Sequence, residues 1–264
     1  KQMHLSNKAA NDGVNEIISS FKVDHKSMSV AETLVTLLEK LRYREHIDED
    51  PETAQERWDN IQELIKEVAA RPDEGEAQAL LRAKPIAGSP KLVSEFLELI
   101  NTYRYPKELP TSAVVEIRRI KARMETERLP QGADPRRHTK LGRGSLSDVE
   151  WLVQLMQLQH GKDHPSIRTP KTLEALHACV AEGLIAEHDA RVLAEAWTFA
   201  SRVRSASVLW ANKRTDVLPT DRQQLEGMAR ILEYPAGSAT QLEEDYLAFT
   251  RRARMVYERI FYTD

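Results

Sequence analysis

Between Arg136 and Gly144 the chain reads Arg-Arg-His-Thr-Lys-Leu-Gly-Arg-Gly. Arg136, Arg137, Lys140 and Arg143 crowd a stretch with no acid between Asp134 and Asp148, and two glycines lead into a helical pattern. Amides at a helix start, glycines that admit close backbone approach and flanking cations together suit an anion such as a nucleotide phosphate. The contacts expected from this segment are Lys140, Gly142, Arg143, Gly144 and Ser145, with Arg136, Arg137 and Arg119 on the flank. The spacing matches neither the Walker pattern nor the dinucleotide fingerprint. The alternative is a solvated basic loop whose Gly142 and Gly144 permit a tight turn.

Other chemistry-bearing residues have plainer readings. His160 and His164 stand four apart, a metal-ligand spacing, but Gly161 and Pro165 interrupt the helix and no third ligand is evident, so no metal site is assigned. Asp148 and Glu150 are two apart and do not share a helix face; they read as favourable first-turn charges rather than an acid and base pair. Cys179, the single cysteine, lies among Leu176, Val180 and Leu184 and reads as a small buried thiol. Trp151, Trp197 and Trp210 read as core or interface aromatics. Arg118, Arg119, Lys121 and Arg123 read as a solvated face that could also border the anion site.

The elements that must position these residues are helices. Val14, Ile17, Ile18 and Phe21 recur at helical spacing; Ser29 and Glu32 form a capping box before a helix ending at Tyr43; Pro51 opens a third carrying Trp58, Ile61, Leu64, Ile65 and Val68. Arg71-Pro72-Asp73-Glu74-Gly75 marks a boundary. Further helices are expected over about 76–84, around Leu92, Phe96, Leu99 and Ile100, and from Thr111 to about Arg128, the last with Val114, Ile117, Ile120 and Met124 inward. A helix through Leu146, Val149, Leu152, Val153 and Met156 is capped by Ser147 with Glu150; another follows Thr169-Pro170. Two long helices, one with Leu193, Ala196, Trp197, Ala200, Val203 and Trp210 inward and one with Leu242, Tyr246, Phe249, Val256 and Ile260 inward, flank a short one from Asp221 to Leu232. The fold class expected is all-α, in two helical units, the C-terminal one a helical bundle.

Composition limits the function. The 38 Lys and Arg against 41 Asp and Glu leave a formal charge of −3, too little positive charge for sequence-independent nucleic-acid binding by the whole chain. With 41% hydrophobic and 30% charged residues the chain is too apolar for disorder, and no run is long enough for a membrane span. One cysteine excludes an internal disulfide and a multi-cysteine metal site. No export signal is seen at Lys1-Gln2-Met3-His4-Leu5, so the cytoplasm is the compartment expected.

The run from Lys140 to His160, Lys-Leu-Gly-Arg-Gly-Ser-Leu-Ser-Asp-Val-Glu-Trp-Leu-Val-Gln-Leu-Met-Gln-Leu-Gln-His, closely resembles the signature of the bacterial glutamine synthetase adenylyltransferase family. It departs from that pattern at Ser145, where the family usually has a second glycine, which makes the turn less permissive. The resemblance takes in Gln78–Gly88, Ile117–Arg123, Tyr246 and Arg251-Arg-Ala253, covering roughly 76–264, and is most like the adenylylating C-terminal half in its actinobacterial form. It implies a parent enzyme of nitrogen metabolism that moves AMP from ATP to glutamine synthetase with magnesium, with glutamine synthetase and a nitrogen signal protein as partners. The family's metal-holding Asp-x-Asp pair is missing after Gly144-Ser145, so no catalytic residue is assigned and the chain resembles a non-catalytic part. Residues 1–72 are similar instead to the 2B-subdomain segment of UvrD/PcrA-like superfamily 1 helicases, through Met28-Ser-Val, Leu41–Glu45 and Glu56–Leu64, with no phosphate loop. The domains expected are thus 1–72, a nucleotidyltransferase-like end over 76–110 and a helical bundle over 111–264. A DNA-associated interaction module, or an engineered chimera without activity, is the alternative.

Overall fold

The computed structural model describes residues 35, 36, 38, 39, 43–48, 54, 55, 58, 59, 61, 62, 78–85, 90–130, 132–213 and 215–263. The chain divides into two compact units, Lys1–Ala79 with Pro85–Ile100 and Leu80–Lys84 with Asn101–Asp264, so the division passes through the stretch 76–110. The described residues form helices and no strand, the all-α class expected from the periodicity.

In the first unit every described residue from 35 to 62 is helical. The acidic stretch expected to follow a helix end at Tyr43 is itself helical in α1 (Tyr43–Asp48), because Arg44 pairs with Asp48 one turn on at 3.3 Å. The Arg44 guanidinium also lies 4.9 Å from the Trp58 ring centre. α2 spans Pro90–Arg104, and Phe96, expected inward, is 46% exposed. The readings on residues 1–34, Pro51, Leu64 to Val68 and the boundary at 71–75 lie outside the described residues, as does most of the helicase-like segment. Of the helix expected over about 76–84, the described residues 78–80 are helical and 81–82 form a turn, so it ends before 84.

The second unit is built on α3 (Thr111–Glu127), α4 (Leu146–His160), α5 (Thr172–Ala181), α6 (Glu187–Ala211), α7 (Arg222–Ile231) and α8 (Ala239–Phe261). α4 is largely buried. Leu155 and Leu158 are buried as well as the expected Val149, Leu152, Val153 and Met156, so its apolar surface wraps round the helix. α6 packs on α8, α7, α4 and α5, and Ala200, Val203 and Ala206 meet Leu225, Met228, Leu242 and Tyr246 in one core. Small alanines on α6 let the backbones approach while the larger partners fill the space. Burial of Cys179 in α5 pushes its thiol up to about 11, which fits an inert core sulfur.

Three local expectations need correction. Trp210 does not point inward but is 45% exposed, lying over Gly227, where any Cβ would sit 2.5 Å from its ring. α5 begins at Thr172 with Lys171 at its cap, while the Thr169 hydroxyl accepts the Lys171 amide at 3.3 Å and donates to Glu174 at 3.3 Å. Ser147 does not cap α4: its hydroxyl is buried and without a hydrogen bond among the described residues. By contrast Asp221 caps α7 by accepting the Gln224 amide at 2.8 Å.

Candidate functional site

The basic segment 134–145 forms a tightly pinned turn rather than an open cradle. Thr139 donates its amide to Asp216 at 2.7 Å, Leu218 donates to the Arg137 carbonyl at 2.7 Å, and His138 faces Val217 in an isolated bridge, which ties the segment to the α6–α7 connection. His138 Nδ1 accepts the amides of Lys140 at 3.3 Å and Leu141 at 3.0 Å. Gly142 donates to the His138 carbonyl at 2.8 Å, Arg143 to Pro135 at 3.3 Å, Ser145 to Gly142 at 3.1 Å. The Gly144 amide goes to Asp148 Oδ2 at 2.6 Å. Every amide from Lys140 to Ser145 is therefore committed within the fold, so the backbone contribution expected for an anion is spent, and only side chains can reach outward.

The glycines serve packing. A Cβ on Gly144 would lie 1.8 Å from the Thr250 carbonyl oxygen of α8, and its φ of +72° is one that L side chains rarely adopt. A Cβ on Gly142 would meet the His138 carbonyl at 2.2 Å. Ser145, where the related pattern has glycine, has φ −94°, which any residue adopts, and its hydroxyl donates to the Thr139 carbonyl. The departure at Ser145 therefore does not make the turn less permissive. The expected capping box does not form: Ser145 is the N-cap residue of α4 but makes no side-chain cap hydrogen bond, and Asp148, three residues on, accepts the Gly144 amide one residue ahead of the cap.

Asp148 is also the centre of a buried ionic cluster that sequence reasoning missed. Lys121, expected on a solvated face of α3, is 0% exposed, as is Asp148. Lys121 Nζ lies 2.6 Å from Asp148 Oδ1 and 2.7 Å from Glu125 Oε1. Arg254 on α8 donates to Glu125 at 2.8 Å and Asp148 at 3.0 Å, and pairs with Glu258 at 2.6 Å. Two cations thus face two carboxylates at the junction of α3, α4 and α8, an arrangement that tolerates burial because each charge is both paired and hydrogen-bonded. Burial alone would raise the Glu125 carboxyl, but hydrogen bonds and charge from Arg254 and Lys121 hold it below the usual range. The Arg254 guanidinium is held well above its ordinary range, since Glu125, Asp148 and Glu258 outweigh its burial. Nearby, Arg118 donates to the carbonyls of Phe261 and Thr263, both at 2.7 Å, closing α3 onto the end of α8.

Beside this cluster opens a cleft of about 680 Å3. Its apolar wall includes Ala122, Leu129, Pro130 and Leu141 with the Tyr262 ring, and its charged wall holds Glu125, Arg254 and Arg143. Glu125 and Arg254 neutralise each other and their partners. Arg143 is exposed, and its guanidinium makes no hydrogen bond or ion pair among the described residues.

The expected site residues therefore divide. Lys140 and Arg143 are exposed; Gly142, Gly144 and Ser145 are buried in the turn. Arg136 is exposed and paired with Asp134 at 2.9 Å. Arg137 is drawn inward to Glu243 and to the carbonyls of Leu218 and Pro219, an anchor between segments. Arg119 points to Glu116 at 3.3 Å on exposed α3 surface. Glu150, two residues from Asp148, faces Arg82 at 3.1 Å. His164 Nδ1 lies 2.7 Å from Glu182, while burial, with His164 beside it, pushes the His160 ring down.

Magnesium would need carboxylate oxygens free to coordinate it. Both oxygens of Asp148, the acid that follows the Gly-Ser turn, are taken by Lys121, Arg254 and the Gly144 amide. Among the described residues no group of three or more His, Cys, Asp or Glu could hold a metal ion, so the residues present do not fit magnesium. Nor, among them, is any helix long and apolar enough to cross a membrane.

Comparison with known proteins follows the same helices. The family model described as GlnD PII-uridylyltransferase matches residues 118–261, which contain the ionic cluster, the pinned turn and most of the cleft wall. The bifunctional glutamine synthetase adenylyltransferase/adenylyl-removing enzyme of Leifsonia xyli subsp. xyli is 61% identical over 187 residues, 71% of this chain and 19% of that protein. The proteins of the same description from Streptomyces avermitilis and Mycobacterium leprae are 53% and 46% identical over 188 and 187 residues, covering 71% and 70% of this chain. The chain spans 19% of the length of the curated relatives it matches. The chain belongs to the GlnD PII-uridylyltransferase family and is homologous to a segment of bifunctional glutamine synthetase adenylyltransferase/adenylyl-removing enzymes.

Proposed function

We propose that this chain is the non-catalytic helical portion of a glutamine synthetase adenylyltransferase, and that residues 111–264 form its helical bundle. In the whole enzyme AMP would pass from ATP to glutamine synthetase with magnesium, in the cytoplasm, under the control of a nitrogen signal protein. The magnesium would be held by residues other than those described. The contribution of this portion is twofold: it presents Lys140 and Arg143 to the nucleotide phosphates, and its helices dock glutamine synthetase. Gly142, Gly144 and Ser145 act as the fixed turn that carries the two cations, with Arg136, Arg137 and Arg119 adding positive potential around it.

The single observation that supports this reading is the Arg143 guanidinium on the wall of the cleft, without a partner among the described residues and carried by a turn whose amides from Lys140 to Ser145 are all occupied. A rigid mount for a cation is what anion recognition needs, because little conformational freedom is lost on binding. Calorimetric titration of the chain with magnesium ATP tests it, beside Lys140→Ala plus Arg143→Ala. Binding heat in the parent chain and its loss in the double variant is the expected result. Equal heat in both, or none in either, would remove the nucleotide-facing role and leave a docking scaffold.

A further inference from the structure

The cleft beside α3 has a chemistry of its own. Its 680 Å3 falls within the roughly 300–1,000 Å3 of small-molecule pockets. Leu129, Pro130, Leu141 and Ala122 give an aliphatic wall, and Tyr262, 38% exposed, adds an aromatic one. The Tyr262 ring is held edge-on to Phe261, with centres 5.1 Å apart and planes at 86°, which fixes its orientation. Of the three ionic side chains, Glu125 and Arg254 are bound to each other at 2.8 Å and to the buried Lys121 and Asp148, so neither has charge to spare. Among the described lining residues, Arg143 brings a charge with no ion-pair partner to the wall.

We propose that this cleft is a binding site for a small organic anion with a flat, largely apolar body. The anionic group, a phosphate or a carboxylate, pairs with the Arg143 guanidinium, whose planar fork suits either. The apolar body lies between the aliphatic wall and the Tyr262 ring, removing both from water. The proposal rests on the reading of Arg143 as an anion contact and deepens it by naming what the rest of the ligand must be. The Glu125–Arg254 pair is the specificity element. Since Arg254 is saturated, a second anionic group on the body would meet Glu125 without a free cation, which disfavours a compact dianion lying deep in the cleft.

Titration of the full chain with four probes tests this: AMP and benzoate as organic anions of the two kinds, pyrophosphate as charge alone, and adenosine as body alone. At least one organic anion is expected to bind about 10-fold or more tighter than both controls. Two variants assign that advantage. Ala122→Phe, at an exposed helix position on the wall, fills the cleft while leaving Arg143 untouched; it is expected to reduce the organic anion to the affinity of the control probes. Arg143→Ala is expected to lower the organic anion and pyrophosphate together. AMP tighter than benzoate identifies a phosphate ligand, and the reverse a carboxylate; either supports the site. An organic anion that binds no tighter than pyrophosphate, or that is unaffected by Ala122→Phe in a chain with unchanged melting temperature, overturns it. Pyrophosphate binding lost in Arg143→Ala without any organic advantage would sustain the phosphate-facing role of Arg143 while removing the cleft as a site. An organic advantage that survives Arg143→Ala would remove Arg143 as the anion contact and overturn the site proposed on it.

Discussion

Lys121 and Arg143 come from two basic stretches that look alike in the sequence, yet the fold uses them in opposite ways. Lys121 on α3 is sealed between Asp148 and Glu125, whereas Arg143 stands exposed at the cleft without a partner among the described residues. The difference follows from what surrounds each cation. Lys121 sits four residues after Ile117 on the inward stripe, so the helix carries it inside, where it must be paired. Arg143 sits on a turn whose backbone is consumed by internal bonds, so its side chain is left over. Asp148 joins the two regions: one oxygen holds Lys121 and the other holds the Gly144 amide next to Arg143.

The largest expected effect comes from breaking the buried side of this comparison. Asp148→Ala leaves Lys121 and Arg254 with one carboxylate fewer and should cost about 3–5 kcal/mol in urea unfolding. Lys121→Met with Asp148→Leu removes one charge of each sign, leaves Arg254 paired with Glu125, and should cost less than the sum of the two single changes. A double variant no better than the sum would mean that the two charges are not coupled.

Next in size is the turn. Gly144→Ala combines the strained φ with the clash against Thr250, and a loss of about 2–5 kcal/mol is expected by thermal unfolding. Ser145→Gly should cost only about 1 kcal/mol, through the hydroxyl's bond to Thr139 and the freer unfolded chain. If the serine variant proved the costlier of the two, the assignment of the positive φ to residue 144 would fail.

A smaller effect is read from pH. Burial lowers the His138 pKa and, although Asp216 pulls the other way, Arg204 and Lys140 add to the lowering. The unfolded chain then takes up the proton first as pH falls. Stability from this group is complete above the ordinary value of about 6.5 and is lost as pH falls through it toward the lower folded value. The melting temperature should decline from pH 8 to pH 5, and less steeply in His138→Asn. Smallest of all is Asp221→Ala, which removes the α7 cap and should cost about 1 kcal/mol without changing any anion affinity.

The helices of the second unit were legible because their apolar residues repeat at helical spacing, and the start of the short helix at Asp221 was placed without its carboxylate being singled out as the cap. The ionic cluster was not legible, because Lys121 lies between Ile120 and Ala122 in a run of cations where charge suggested solvent. The inward stripe Val114, Ile117, Lys121 did carry the signal. Arg254 was hidden likewise, four residues after buried Thr250. For the candidate site, the basic loop stood out in the sequence as one segment, but the division between its exposed and buried residues did not. Whether an amide faces outward depends on distant partners such as Asp216 and Asp148, which local spacing does not reveal.

The division of labour between the two cations is tested most directly by the unfolding free energies of Lys121→Ala and Arg143→Ala, measured side by side in urea. Lys121→Ala is predicted to lose about 3–5 kcal/mol and Arg143→Ala to stay within about 0.5 kcal/mol of the parent chain. Equal losses in the two variants, or the larger loss in Arg143→Ala, would contradict the account.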